Sequence, residues 1–331
     1  MLISLTILIV CVLLFLGAFF VTGRVLFDYI TTWFGRLKIG RWDSVEQWMK
    51  AVESQARKSL KRQGWQAGGL LLGLSDKDAE EYVFSHSGLF SRGQSDVESA
   101  FLAFALKERG QLPPGEEEKL KNRLSNKSKQ STLPYRDSAP SLRFVDTIGL
   151  ACPFLYSVGL SGVADRQIVE YDKIRYDGVF PPQAFEPVRN LPMGVYDWSR
   201  GIGWYILGIV SSRSNEDRVL QMAERMMGFQ RKDGGFGAFI FNPSSRNESV
   251  GTALAGILFV TAYKWSGDER FLSSARKAEK ALMSMTRRDG SVDFAQGNPA
   301  GIGQYSTHYG TMPFVQGMTL CLAKSIDVLS K

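Results

Sequence analysis

Carboxylates, one arginine and several aromatic residues collect at the starts of four nearly uncharged stretches. Asp146 opens the first, RFVDTIGLACPFLYSVG. The second begins Tyr196-Asp197-Trp198-Ser199-Arg200-Gly201-Ile202-Gly203-Trp204, and the third begins Asn247-Glu248-Ser249-Val250-Gly251-Thr252. The last is preceded by Gln304-Tyr305-Ser306-Thr307-His308-Tyr309-Gly310-Thr311. A carboxylate at the mouth of a buried helix can work as a general acid/base, its pKa raised by partial burial. It can also simply cap the helix. Arginine offers a planar fork to a carboxylate, and tryptophan offers a flat face to a sugar ring. The hydroxyl and aromatic groups around Tyr305 and His308 suit a carbohydrate cleft. The structural alternatives are a cap at Glu248, an Arg–Asp pair with packed tryptophans, and an ordinary capped loop.

These residues need elements to bring them together. The stretches 145–162, 199–212, 249–264 and 311–326 are almost free of charge and rich in small residues. A helix apolar all round is buried. Between them, RVLQMAERMMGFQRK and RFLSSARKAEKALMSMTRR put charge on one side and Leu, Met and Ala on the other, the pattern of an amphipathic helix. Asp177-Gly178, Asp233-Gly234 and Asp289-Gly290 recur every 56 residues, and Asp-Gly is turn chemistry. Residues 44–62 and 95–108 also read as helices, and FGAFIF at 236–241 reads as a short hairpin or loop. Buried helices alternating with amphipathic ones at a period of ~50–60 residues indicate a repeat architecture. The fold expected is all-α, an (α/α)6 barrel in which an outer ring of helices encloses an inner ring. The inner helix N-termini then gather at one end, where a concave cleft is the default site.

Asp146 in VDTIGLACPFL, Trp198–Trp204 in WSRGIGW and Glu248–Ala253 in ESVGTA resemble the unsaturated glucuronyl and rhamnogalacturonyl hydrolases, glycoside hydrolase families 88 and 105. The closing YGTMPFVQGMTL is similar to their last helix. The resemblance covers roughly residues 130–331 and implies an (α/α)6 barrel. It also implies a reaction unlike the paired-carboxylate route of common glycosidases. An Asp protonates the enol-ether carbon of a 4,5-unsaturated uronic acid and activates the water that adds at the neighbouring carbon. The hemiketal so formed opens and releases the sugar. By motif, Asp146 would be that acid/base. Arg200 would lie near the substrate carboxylate, with Trp198 and Trp204 as walls and Glu248, Tyr305 and His308 completing the substrate-binding set. A second catalytic Asp is expected on an earlier inner helix, and Asp96 in GQSDVESAFLAF is the candidate, with Glu98 in the same first turn. The chain departs from the family at Ile202, where an amide is usual, and at DGVFPPQAFEPVRNLPMG, which contains no His. No cofactor is implied.

Two other readings stand beside this one. A non-catalytic carbohydrate-binding or scaffold protein of polysaccharide assembly would use the same cleft. Gln230-Arg231-Lys232-Asp233-Gly234-Gly235-Phe236-Gly237 is similar to the Gln/aromatic repeat of triterpene cyclases, in which the Gln braces outer helices. The cyclases' Asp-x-Asp-Asp motif is absent from the sequence.

Composition sets the outer limits. The 331 residues carry 40 Lys+Arg against 33 Asp+Glu, a net charge of +7, with 44% hydrophobic and 22% charged residues. That excludes a disordered or collagenous chain. Three cysteines and two histidines leave no room for a disulfide framework and make a His/Cys zinc site unexpected. Leu2 to Gly23 contains no charge, and ~20 apolar residues span a bilayer. Residues 1–23 are therefore expected to be a retained single-pass anchor, 24–43 a basic juxtamembrane segment, and 44–331 the barrel. Arg24, Arg36, Lys38 and Arg41 follow the apolar run, so the positive-inside rule puts the barrel on the cytoplasmic side. KSLKR at 58–62 and KLKNR at 119–123 read as solvated helix faces, not as a nucleic-acid surface. The expected partners are the membrane and an oligo- or polysaccharide.

Overall fold

A computed structural model describes residues 38–61, 64–86, 90, 95–129 and 132–329. Among them are twelve α-helices. In chain order these are α1 (Val45–Ser59), α2 (Trp65–Gly73), α3 (Asp76–Ser85), α4 (Asp96–Glu108), α5 (Glu116–Lys127) and α6 (Asp146–Ser157), then α7 (Ser161–Asp172), α8 (Ser199–Ile209), α9 (Glu216–Met227), α10 (Ser249–Ser266), α11 (Glu269–Ser284) and α12 (Pro313–Leu329). The even-numbered helices form the inner ring. Each packs on the next, and α12 packs on α2 to close it. The odd-numbered helices lie outside. This is the expected (α/α)6 barrel.

The division follows from side-chain pattern. All of α8 is buried, and it carries no charge beyond Arg200. The outer helix α9 buries only Val219, Met222, Ala223 and Met226, a single stripe at helical spacing. Ring closure depends on small residues. A Cβ on Gly317 would fall on the backbone carbonyl of Gly69, so α12 and α2 touch main chain to main chain. Helix α2 was not foreseen: WQAGGLLLG is short and glycine-rich, with no period to read, and its neighbours in the ring stabilise it. The helix expected over 145–162 ends at Ser157, because Gly159 at φ 76° turns the chain into α7.

The Asp-Gly repeat is structural in two of its three members. Gly234 and Gly290 have φ of 88° and 86°. Asp233 and Asp289 accept hydrogen bonds from the N–H groups of Gly235 (3.0 Å) and Ser291 (2.9 Å). Gln230 Nε2 donates to the carbonyls of Gly234 and Ser274, and Gln316 Nε2 donates to those of Gly290 and Val52. Each of these two turns is thus tied to the neighbouring outer helix. The Gln230 motif therefore reports barrel architecture. At Asp177-Gly178 both residues have positive φ, 52° and 66°, and the turn is of another kind.

Short strands line the cleft end. β1 (Arg143–Phe144), β2 (Ala184–Glu186) and β3 (Leu191–Met193) form an antiparallel sheet, while β4 (Ala295–Gln296) pairs with β5 (Tyr309–Gly310). FGAFIF makes single bridges, Gly237 to Asn247 and Phe239 to Trp198. The packed barrel begins before residue 44: Ile39 bridges Arg287, and Gly40 N–H donates to the Thr286 carbonyl at 2.8 Å. Residues 38–40 thus pack against the barrel's edge. The expected anchor at 2–23 lies outside the described residues. Among the described residues no helix is long and apolar enough to cross a membrane.

Candidate active site

The inner helices start around a cavity of ≈ 390 Å³. Its lining includes Asp146, Trp198, Arg200 and Trp204, together with Trp65, Glu98, Tyr135, Arg136 and the loop 298–302. Four residues expected from two separate motifs therefore meet in one place.

Asp146 is the first residue of α6. Val145 occupies the cap position, and no side chain caps this helix. The carboxylate is only half-buried and faces the cavity. Its pKa is pushed up to about 6, first by loss of solvation and then by the charge of Glu98, against the pull of Arg200. An acid in that range keeps a protonated fraction closer to neutral pH than an ordinary carboxylate does and can give the proton up.

Glu98, not Asp96, is the second carboxylate in the cavity. Ser95 caps α4, with its hydroxyl accepting from Glu98 N–H at 3.1 Å. This makes Asp96 the first helical residue and Glu98 the third, roughly 200° apart around the axis. Glu98 turns inward and accepts a 2.7 Å hydrogen bond from Tyr135 Oη. Burial, then the charges of Asp146 and Glu98, raise the Tyr135 phenol well above its usual range, so it stays a donor. Asp96 turns outward to Arg123 Nε and Lys127 Nζ, each at 2.8 Å. Burial works to raise its pKa, but those two cations prevail and hold it below the usual carboxylate value.

Arg200 is only 2% exposed. Its Nη1 donates to the Gln296 carbonyl at 2.6 Å and its Nη2 to the Gly297 carbonyl at 2.8 Å, while Nε has no partner. The guanidinium lies 5.1 Å from the Trp198 ring centroid. It grips the loop after β4, and its terminal nitrogens are not held out as a fork toward a ligand. Glu248 is fully buried and caps α10, accepting from Gly251 N–H at 2.5 Å and, through its other oxygen, from Gln296 N–H at 3.2 Å. Burial raises its pKa, opposed by Arg200 and these amides. Glu248 is thus an internal brace beside the cavity.

Trp198 Nε1 donates to Gln296 Oε1 at 2.9 Å, which fixes the ring as a wall. Trp204 packs edge-on to Trp65, with centroids 5.4 Å apart. Tyr305 supports Trp198 from behind at 5.4 Å and accepts from Val195 N–H, but it does not line the cavity. His308 is exposed away from the cavity, its N–H donating to Ser306 Oγ.

Trp65, Tyr135 and Arg136 were not foreseen. Tyr135 and Arg136 lie in a loop with no periodicity, and Trp65 opens the one inner helix that had no readable pattern. The signal for Glu98 was present: placing the cap at Ser95 predicts which face each acid takes.

No family model matches this sequence, and no curated protein matches it. Solved structures do. A possible member of the GH105 family from Salmonella enterica serovar Paratyphi A has a TM-score of 0.73 at 12% identity, covering 87% of this chain and 96% of that one. An unsaturated glucuronyl hydrolase specific for heparin has a TM-score of 0.68 at 11% identity, with coverages of 86% and 97%. A polysaccharide lyase reaches 0.65 at 15% identity, with coverages of 87% and 98%. At such identities the likeness is one of fold, and fold does not by itself assign a reaction. The chain shares the helical barrel of the unsaturated glucuronyl hydrolases.

Proposed function

We propose that the protein is a glycoside hydrolase-type enzyme that hydrates a 4,5-unsaturated uronyl residue at the end of an oligosaccharide. The carrying observation is Asp146, an uncapped, half-buried carboxyl held near pKa 6 beside Glu98 in a tryptophan-walled cavity. In this reading Asp146 donates its proton to C4 of the enol ether, leaving positive charge shared between C5 and the ring oxygen. The resulting carboxylate takes a proton from water as that water adds to C5. The hemiketal then opens and the next sugar leaves, with Asp146 protonated again. Glu98 and Tyr135 hold the second polar wall.

The substrate carboxylate falls to Arg136. It is exposed at the cavity rim beside the Tyr135 ring, whereas Arg200 is committed to two carbonyls. Incubation with an unsaturated uronyl disaccharide should remove the enol-ether absorbance. Wild-type protein with no turnover on a panel of unsaturated uronides would sink the proposal.

We also propose that residues 2–23 anchor the barrel to a membrane, with the barrel on the cytoplasmic side. Its support is the uncharged run followed by Arg24, Arg36, Lys38 and Arg41. A reporter fused to the C-terminus and active only outside the cytoplasm would reverse that orientation.

A further inference from the structure

A second cavity of ≈ 480 Å³ opens beside the first, at the same end of the barrel. It lies between the last turn of α1, the turn at Ser291 and the start of α12. Thr311, Met312 and Pro313 form one wall, and Met312 Sδ lies 4.0 Å from Arg200 Nη1, so this short segment separates the two cavities.

Its charge is one-sided. Lys58 and Lys61 both line it, and no carboxylate does. The basic residues just before them on α1 are matched: Lys50 pairs with Glu46, and Arg57 pairs with Glu53 and Asp78. Among the described residues, Lys58 and Lys61 have no such partner. Lys58 stands in the last turn of α1 and Lys61 just beyond its end, so both ammonium groups sit at one rim of the cavity. The cavity lining supplies no counter-charge of its own, and an anionic ligand would. Two positive charges match a dianion, and a phosphate monoester carries about −1.5 to −2 at pH 7. The cavity is far larger than one phosphate and falls in the size range of small-molecule sites. Gln55, Ser59 and Thr311 add uncharged polar groups suited to hydroxyls.

We propose that this cavity binds a phosphorylated sugar, its phosphate held between Lys58 and Lys61 and its hydroxyls met by Gln55, Ser59 and Thr311. The site is distinct from the Asp146 cavity, and its test does not depend on turnover there. Titration calorimetry on the full chain would compare glucose 1-phosphate, inorganic phosphate and glucose. Glucose 1-phosphate should bind measurably, inorganic phosphate more weakly and glucose not at all. Raising salt should weaken the phosphate arms, because the contact is ionic. The double variant Lys58→Gln/Lys61→Gln should lose at least ~10-fold in affinity for glucose 1-phosphate with an unchanged melting temperature, since both side chains are exposed. Asp146→Asn should leave that affinity as it is. Absence of glucose 1-phosphate binding to the wild type overturns the proposal. So does equal affinity in the double variant, and so does inorganic phosphate binding as tightly as the sugar phosphate.

Discussion

Asp146 and Glu248 stand at the starts of inner helices, both within the field of Arg200, and yet they do opposite work. Glu248 is fully enclosed, and each of its oxygens accepts a main-chain N–H. Asp146 caps nothing and keeps part of its surface in the cavity. A carboxylate whose lone pairs are filled by amides is a structural part, whereas one left short of donors beside a second acid is poised to exchange a proton. The start of α4 repeats the contrast within one turn: Asp96 is neutralised by two cations, and Glu98 meets Tyr135. Position relative to the cap sets which way each acid faces, but not its role. What each oxygen touches sets that.

Substitution should separate the two kinds. Asp146→Asn is expected to lower turnover of an unsaturated disaccharide by 10²–10⁴-fold or more, the usual weight of a general acid/base. Its melting temperature should hold or rise, because a poorly solvated charge is removed. A variant that stays active would break the comparison at its root.

Glu248→Ala should do the reverse. It strands the Gly251 and Gln296 amides and leaves Arg200 without its buried neighbour, at a cost of ~3–5 kcal/mol. Thermal unfolding should show a large drop, and the activity that remains should track the folded fraction.

Glu98→Gln should reduce kcat by ~10–100-fold and shift the pH profile. The Glu98 charge helps hold the pKa of Asp146 up at about 6, so its loss should lower that pKa. In the wild type kcat/KM should fall as pH rises through about 6, where free Asp146 gives up its proton. In Glu98→Gln that fall should come at lower pH; an unmoved limb would deny that the two acids sense each other.

A control lies away from the cleft. Glu279 on α11 is largely buried, and burial pushes its pKa up to about 7. The folded state therefore prefers its protonated form, and stability falls as pH rises from the ordinary carboxylate range through about 7. Glu279→Gln should gain ~1–3 kcal/mol in denaturant unfolding at pH 8 and little at pH 4, with turnover unchanged.

The smallest effect is expected at Asp96→Asn. Its partners are partly exposed, so the loss should stay within ~1 kcal/mol and turnover should not change. The folded-state pKa of Asp96 is depressed, so the loss should be present at neutral pH and should vanish as pH falls below the ordinary carboxylate value.

Much of the fold was legible because it is written in side-chain character. Nearly uncharged stretches such as SRGIGWYILGI have nowhere to go but an inner ring, and the single stripe of α9 has to face it. Period and hairpin number followed from the spacing of those stretches. What escaped was α2, held by close glycine contact with α12, and the loop bearing Tyr135 and Arg136, which has no period to read.

The sequence by itself determined the ring of buried helices, the motifs that carry Asp146, Trp198, Arg200 and Trp204 to the helix starts, and the poverty in His and Cys. Only the tertiary structure decided which acid does what. Asp96 and Glu98 differ by two positions and half a helical turn, and Glu248 and Asp146 differ in whether amides reach them. Those differences depend on neighbours distant in the chain, such as Gln296, Tyr135 and Lys127, and no local pattern records where such residues arrive.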